Sequence, residues 1–130
     1  MGRHDVDMLL NPDLNLSSVV YGPFISVAPD ILLDDGDRLP FGGLHFEVIF
    51  TPGHTKGSIC LKIGNWLFSG DTLFCRSIGR TDLPTGSLPE LERSVRTKLY
   101  VLPDETRVYT GHGDPTTIGE EKKHNAFVRP

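Results

Sequence analysis

Three apolar, strand-like runs in this 130-residue chain each break at a glycine-containing turn, and each turn carries a residue with metal-binding chemistry. The turns are Thr51-Pro52-Gly53-His54-Thr55-Lys56-Gly57-Ser58, Ser69-Gly70-Asp71-Thr72-Leu73-Phe74 and Thr110-Gly111-His112-Gly113. Delivery of single side chains from several strand ends is how α/β architectures gather a site from distant sequence. The flanking glycines let backbone approach closely, and Pro52 fixes the turn ahead of His54. A chain with this pattern must build a sheet that finishes several strands near one cleft.

The local patterns around those turns supply the rest of the expected fold. Leu44, Phe46, Val48 and Phe50 alternate with His45, Glu47 and Ile49, the period of a half-buried strand. His45 falls on the face opposite the aromatic residues, beside Glu47, and reads as an exposed surface histidine. Ser58–Ile63 and Trp66–Ser69 are two further runs joined by Gly64-Asn65, a hairpin signal. Residues 72–87 read as a long loop, after which Ser87-Leu88-Pro89-Glu90 predicts a capping box with proline in the first turn. Leu88, Leu91, Val95, Leu99 and Leu102 recur at helical spacing, up to the stop at Pro103-Asp104. Thr106–Thr110 predicts a short strand, and a last helix begins near Thr117 and carries a solvated His124. Upstream, His4–Leu10 reads as the tail of a helix stopped by Asn11-Pro12. Residues 13–37 read as mostly loop, apart from the apolar run Ile31-Leu32-Leu33. Asp34-Asp35-Gly36-Asp37 is expected to be a solvated turn, since it lacks the rest of a calcium-loop pattern.

Composition removes several classes of function. The length suits one domain, 1–130, burying roughly two thirds of the unfolded chain's surface. A net charge of −4 leaves no basic footprint, so no nucleic-acid partner is expected. No apolar run approaches the ~18 residues of a membrane span, and the N-terminus is polar from Met1 onward, unlike a signal peptide. Two cysteines are too few for a disulfide framework, and the expected location is cytoplasmic. Cys60 lies in a strand pattern and reads as core. Cys75 follows Asp71 by four positions and reads as a free structural thiol, with a place in the lining of the site as the alternative.

Imidazole and carboxylate are ligands suited to zinc, and a carboxylate with two oxygens can bridge two ions. His54, Asp71 and His112 are therefore the candidate metal ligands. Their flanking words, Thr-Pro-Gly-His-Thr-x-Gly-Ser (51–58), Gly-Asp-Thr-Leu-Phe (70–74), Gly-Arg-Thr-Asp (79–82) and Gly-His-Gly-Asp-Pro-Thr-Thr-Ile-Gly-Glu-Glu (111–121), form a specific set. In order and separation they resemble the metallo-β-lactamase-fold hydrolases, and within them the glyoxalase II-like (hydroxyacylglutathione hydrolase-like) branch. The resemblance covers nearly the whole chain.

It implies the α/β (α+β) fold of an αββα sandwich, with a mixed, mainly antiparallel sheet flanked by helices. It also implies zinc, two ions per complete site, with iron or manganese as alternatives. By resemblance His54 is the third histidine of the first metal site, Asp71 the bridging and catalytic aspartate, and His112 the last histidine of the second site. The implied chemistry is hydrolysis of a small-molecule thioester by metal-bound hydroxide. Arg80 stands where glyoxalase II has a lysine that contacts the glutathione carboxylate, which makes it a candidate substrate anchor. A persulfide dioxygenase-like activity shares the Gly-Asp and Gly-Arg-Thr-Asp words, but the Gly-His-Gly ending fits the hydrolases better.

The family's His-x-His-x-Asp-His motif, which supplies four ligands, is absent from this sequence. Arg3-His4-Asp5-Val6-Asp7-Met8-Leu9 resembles the helical segment that follows that motif, so the chain reads as the C-terminal part of such a hydrolase. The expectation is little or no turnover by the isolated chain. Its apolar sheet face is expected to be covered by a homodimer or by pairing with a separate N-terminal half. A metal-free, non-catalytic scaffold is the alternative.

Overall fold

The computed structural model describes residues 1–20, 22–24 and 26–130. A six-stranded sheet in the order β1-β2-β3-β4-β7-β8 carries the chain. Its strands are β1 (Arg38–Phe41), β2 (Leu44–Phe50), β3 (Ile59–Ile63), β4 (Trp66–Gly70), β7 (Arg107–Thr110) and β8 (Thr116–Thr117). Neighbours pair antiparallel except β4 with β7, which run parallel. Because β2–β3 and β3–β4 are both antiparallel, β2 also runs with β4. Strands β2, β4 and β7 therefore end on the same edge of the sheet, and the turns bearing His54, Asp71 and His112 all leave from that edge. The fold class is the expected one, a mixed and mainly antiparallel sheet with flanking helices.

One face of the sheet is a packed core. Ile49, Cys60, Leu67 and Val108 present its strand side. Helix α3 (Leu88–Ser94), the wider π-type turn Val95–Leu99 and helix α4 (Ile118–His124) cover it with Val95, Leu99 and Ile118. The π turn is closed by the Tyr100 amide donating to the Val95 carbonyl five residues back, at 2.8 Å. Each of these fully buried aliphatic side chains contributes about 1.5–3 kcal/mol of burial free energy. Helix α4 starts as expected: the Thr117 hydroxyl caps it by accepting from the Glu120 amide.

The opposite face is covered only towards the site edge. There His4 packs on Phe50 at 5.3 Å between ring centres, and Gly2 pairs with the buried Leu33. Further along, Phe46, Phe68, Tyr109 and Trp66 form an aromatic row, with Phe68 stacked on Tyr109 at 5.3 Å. Phe41, Leu44 and Trp66 beside it are each more than half exposed. The physical reason is register: Val48, Leu61, Phe68 and Tyr109 share this face by strand pairing, while helices α3 and α4 pack on the other.

Several local expectations are corrected. The 72–87 stretch contains a small hairpin, β5 (Leu73–Phe74) with β6 (Ser77–Ile78), turned at Arg76 with φ of 60°. The expected capping box does not form through its side chain. Ser87 makes no side-chain cap bond, its amide donates instead to the Gly53 carbonyl at 2.8 Å, and Leu88 stays exposed. The acidic turn is not merely solvated, because Asp35 accepts from the Phe50 amide at 2.7 Å and pairs with Lys98 at 2.5 Å. Within 13–37 a short helix α2 (Ser17–Val20) forms, while Tyr21 and Ile25 lie outside the described residues. The first helix, α1 (Val6–Leu10), follows a 3-10 turn at Arg3–Asp5 and ends before Pro12. Among the described residues no helix is long and apolar enough to cross a membrane.

Candidate metal centre

The three sequence-predicted ligands do converge. Asp71 is the centre: its Oδ2 lies 3.6 Å from His54 Nε2 and its Oδ1 lies 3.5 Å from His112 Nε2. Each imidazole meets a different oxygen of one carboxylate, the disposition a bridging ligand requires. Among the described residues no three His, Cys, Asp or Glu side chains close on a single point as a complete cage. The donors present thus fit one shared edge of a two-ion centre rather than a finished site for either ion.

Each ligand is held by the elements around it. The loop after β2 is tied to α3 by the Ser94 hydroxyl, which donates to the Pro52 carbonyl at 2.8 Å. Beneath it, the buried Thr51 and Thr72 hydroxyls bond at 3.0 Å and link the His54 and Asp71 turns. His54 Nδ1 lies 2.7 Å from the Arg80 carbonyl oxygen. A carbonyl only accepts, so this bond puts a proton on Nδ1 and turns Nε2 towards Asp71.

The Asp71 turn is framed by two glycines for steric reasons. A Cβ on Gly111 would collide with Asp71 Oδ1, and one on Gly79 would collide with the Asp71 carbonyl. The Gly111 amide donates to the Gly70 carbonyl at 2.8 Å, which joins the ends of β4 and β7. His112 is the least restrained of the three candidate ligands, with its side chain 78% exposed against 21% for His54. Phe74 from the β5 hairpin meets its ring edge-on at 5.8 Å.

The candidate substrate anchor Arg80 lies on the exposed rim. Its guanidinium holds Asp82 through two bonds of 2.8 Å, and that pairing pulls the Asp82 carboxyl down to about 2. His45 is exposed and contacts Arg38, away from the centre. Cys60 is core as expected, and Cys75 is half-buried near the hairpin.

Sequence reading gives no role in the site to Asp5, nor to Gly79 and Phe74, which stand in the motifs 79–82 and 70–74. Asp5 reads only as part of the helix tail His4–Leu10. Its role appears when the N-terminal turn docks under the His54 loop, a contact across about fifty residues of sequence.

A mainly antiparallel sheet that gathers His, Asp and His from three parallel strand ends defines a metallo-hydrolase type of scaffold. The metallo-beta-lactamase superfamily profile matches residues 1–112, and the chain belongs to that superfamily. Among its relatives, the probable metallo-hydrolase YqgX of Bacillus subtilis is 36% identical over 129 residues, covering 97% of this chain and 61% of YqgX. The hydroxyacylglutathione hydrolase GloC of Haemophilus influenzae is 43% identical over 99 residues, covering 72% of this chain and 45% of GloC. The crystal structure of BLEG-1, a B3 metallo-beta-lactamase, superposes with a TM-score of 0.90 at 40% identity, covering all of this chain and 64% of BLEG-1. The chain spans about half the length of several curated relatives it matches.

Proposed function

We propose that this chain is the C-terminal, ligand-bearing part of a glyoxalase II-like metallo-hydrolase acting on small-molecule thioesters. The observation that carries this reading is Asp71, placed with one carboxylate oxygen towards each of His54 and His112. His54 Nε2 and Asp71 Oδ2 would hold one ion, and Asp71 Oδ1 and His112 Nε2 the other. Zinc suits this donor set, with iron or manganese as alternatives. A bound ion supplies Lewis-acid polarisation and activation of water.

The chain's own residues set the geometry. The Arg80 carbonyl orients His54, the Gly79 and Gly111 backbones press on Asp71, and Phe74 limits the swing of His112. Arg80 is the candidate anchor for a substrate carboxylate, which would have to replace Asp82 as its partner. With two ligands for each ion, affinity and ion placement both fall short of a normal zinc site, so the isolated chain turns over little or no thioester.

The exposed aromatic row of the sheet supports pairing with an N-terminal part of the same fold. A second copy could also cover this face, but it would add only further copies of His54, Asp71 and His112. Such an N-terminal part could supply the ligands this chain lacks.

The test is elemental analysis of metal per chain after zinc loading and buffer exchange, followed by assay with a glutathione thioester. Retention of zinc that is lost in Asp71→Ala supports the reading. A chain that retains no zinc, alone or with an added N-terminal part, sinks it. Oxygen consumption with a persulfide in place of thioester cleavage would move the assignment to a dioxygenase.

A further inference from the structure

We propose that Asp5 is the positioning residue for His54, holding the far half of the loop on which that imidazole stands. The inference rests on the reading of His54 as a ligand. Asp5 ends the Arg3–Asp5 turn, and its carboxylate is divided between two groups of the loop. Oδ2 accepts from the Thr55 hydroxyl at 2.5 Å, and Oδ1 accepts from the Gly57 amide at 2.8 Å. The Thr55 hydroxyl proton is thereby committed to Asp5, so Thr55 Oγ1 accepts from the Ser58 hydroxyl at 2.8 Å. Ser58 Oγ in turn accepts from the Thr55 amide at 3.0 Å. The result is a closed cycle of hydrogen bonds immediately after His54, with a carboxylate as its terminal acceptor.

Packing makes the clamp specific to this place. A Cβ on Gly57 would run into the backbone nitrogen and carboxylate of Asp5, so only glycine admits the approach. The near half of the loop is fixed separately, through Pro52 and Gly53 to Ser94 and Ser87. His54 thus lies between these two anchors, with Lys56 tied further by its amide to Thr85 Oγ1 at 3.2 Å and by its ammonium to Asp7 at 3.0 Å. Loss of the Asp5 anchor releases Thr55 and Gly57 on either side of Lys56 and lets His54 Nδ1 move away from the Arg80 carbonyl. Groups that orient a metal-bound histidine at one remove typically change metal affinity by about 10–100-fold.

The experiment uses the full chain, without metal and then with zinc alone. Imidazole ¹⁵N NMR reads the His54 tautomer in the unsubstituted chain, in Asp5→Ala, in Asp5→Asn and in Thr55→Val. In the unsubstituted chain His54 is expected to show a fixed Nδ1–H signal. Asp5→Ala should convert this to an averaged, exchanging imidazole while core amides such as those of Cys60 and Val108 stay in place. Asp5→Asn should restore it, because its amide can accept from the Gly57 N–H and donate to Thr55 Oγ1. Zinc affinity should fall about tenfold in Asp5→Ala and recover in Asp5→Asn. If Asp5→Ala fails to fold, Thr55→Val decides, since it removes the Oδ2 half of the clamp, leaves the Gly57 amide on Oδ1, and does not touch the N-terminal turn. An unchanged His54 signal in Asp5→Ala, or in Thr55→Val, overturns the proposal. Zinc that leaves the His54 signal of the unsubstituted chain unmoved overturns the metal reading instead, and the two failures are distinguishable.

Discussion

The backbone carbonyl of Arg80 accepts a hydrogen bond from the His54 imidazole at 2.7 Å, while the Arg80 side chain turns the other way to Asp82. One residue thereby serves two purposes through chemically separate groups. The carbonyl survives any substitution, and the guanidinium does not. Arg80→Ala is therefore expected to leave zinc content and the His54 tautomer unchanged. Binding of a carboxylate-bearing thioester should weaken about tenfold, the worth of one exposed charge-assisted contact. Elemental analysis and ligand titration on the same preparation check both halves.

The glycines beside His112 are expected to separate by mechanism. A side chain at Gly111 would displace Asp71 Oδ1, whereas Gly113 has open space around it and a φ of 82°. Gly111→Ala should abolish zinc retention and also lower thermal stability, because its Cβ meets the Gly70 backbone at 2.9 Å as well. Gly113→Ala should cost about 1 kcal/mol of backbone strain and keep the metal. Equal metal loss in the two variants would show that the Asp71 contact is not what matters.

Much of this arrangement was legible in the sequence because its signals are local. The Gly64-Asn65 hairpin, the strand ends at Phe50, Gly70 and Thr110, and the Thr117 cap all depend on neighbours within a few residues. The three candidate ligands were visible for the same reason, each standing in its own turn, and the structure brings them together around Asp71. What escaped was long-range. The Leu73–Ile78 hairpin is two residues per strand, too short to show a period, and is held by contacts to other elements. The Ser87 box failed because the helix start is docked on Gly53, where the tertiary contact outweighs the local cap. Asp5 had no local signature for this role, since its partners Thr55 and Gly57 lie about fifty residues on, in the loop between β2 and β3.

The aromatic face offers its own probe. Trp66 is the chain's single tryptophan, is half exposed, and lies edge-on to Tyr109. Its emission should be that of a partly hydrated indole, quenched by acrylamide, and should shift to the blue when a partner covers the sheet. Phe68→Glu puts a charge in the middle of the row, on the face away from the packed core. It should cost about 1 kcal/mol, from lost stacking on Tyr109 and Phe46. The same change should weaken binding of an apolar dye and any self-association. Sedimentation of both proteins at two concentrations reads the second effect, and a monomer mass independent of concentration in the unsubstituted chain would argue against a homodimer.

Cys60 predicts a pH dependence of stability on the alkaline side. Its thiol is fully buried, and burial pushes its pKa up to about 11 from an ordinary value near 9, against weaker opposing hydrogen bonds from Thr51 and Thr72. The folded state therefore prefers the protonated thiol. Its contribution is complete below pH 9, where both states are protonated, and is lost between pH 9 and 11 as the unfolded chain alone ionises. The full loss over that window is about 3 kcal/mol. Tyr100, raised to about 12 by burial and the nearby Glu121 charge, adds a further loss above its ordinary value of 10. Urea unfolding at pH 8, 9, 10 and 11 should show a falling midpoint, and Cys60→Ala should flatten the portion between 9 and 10. The same burial predicts thiol counting. At pH 8 a chromogenic disulfide should titrate the half-buried Cys75 in the native chain and both cysteines in denaturant. Rapid reaction of both thiols in the native chain would mean that the sheet core opens at Cys60, the strand that passes directly beneath the His54 turn.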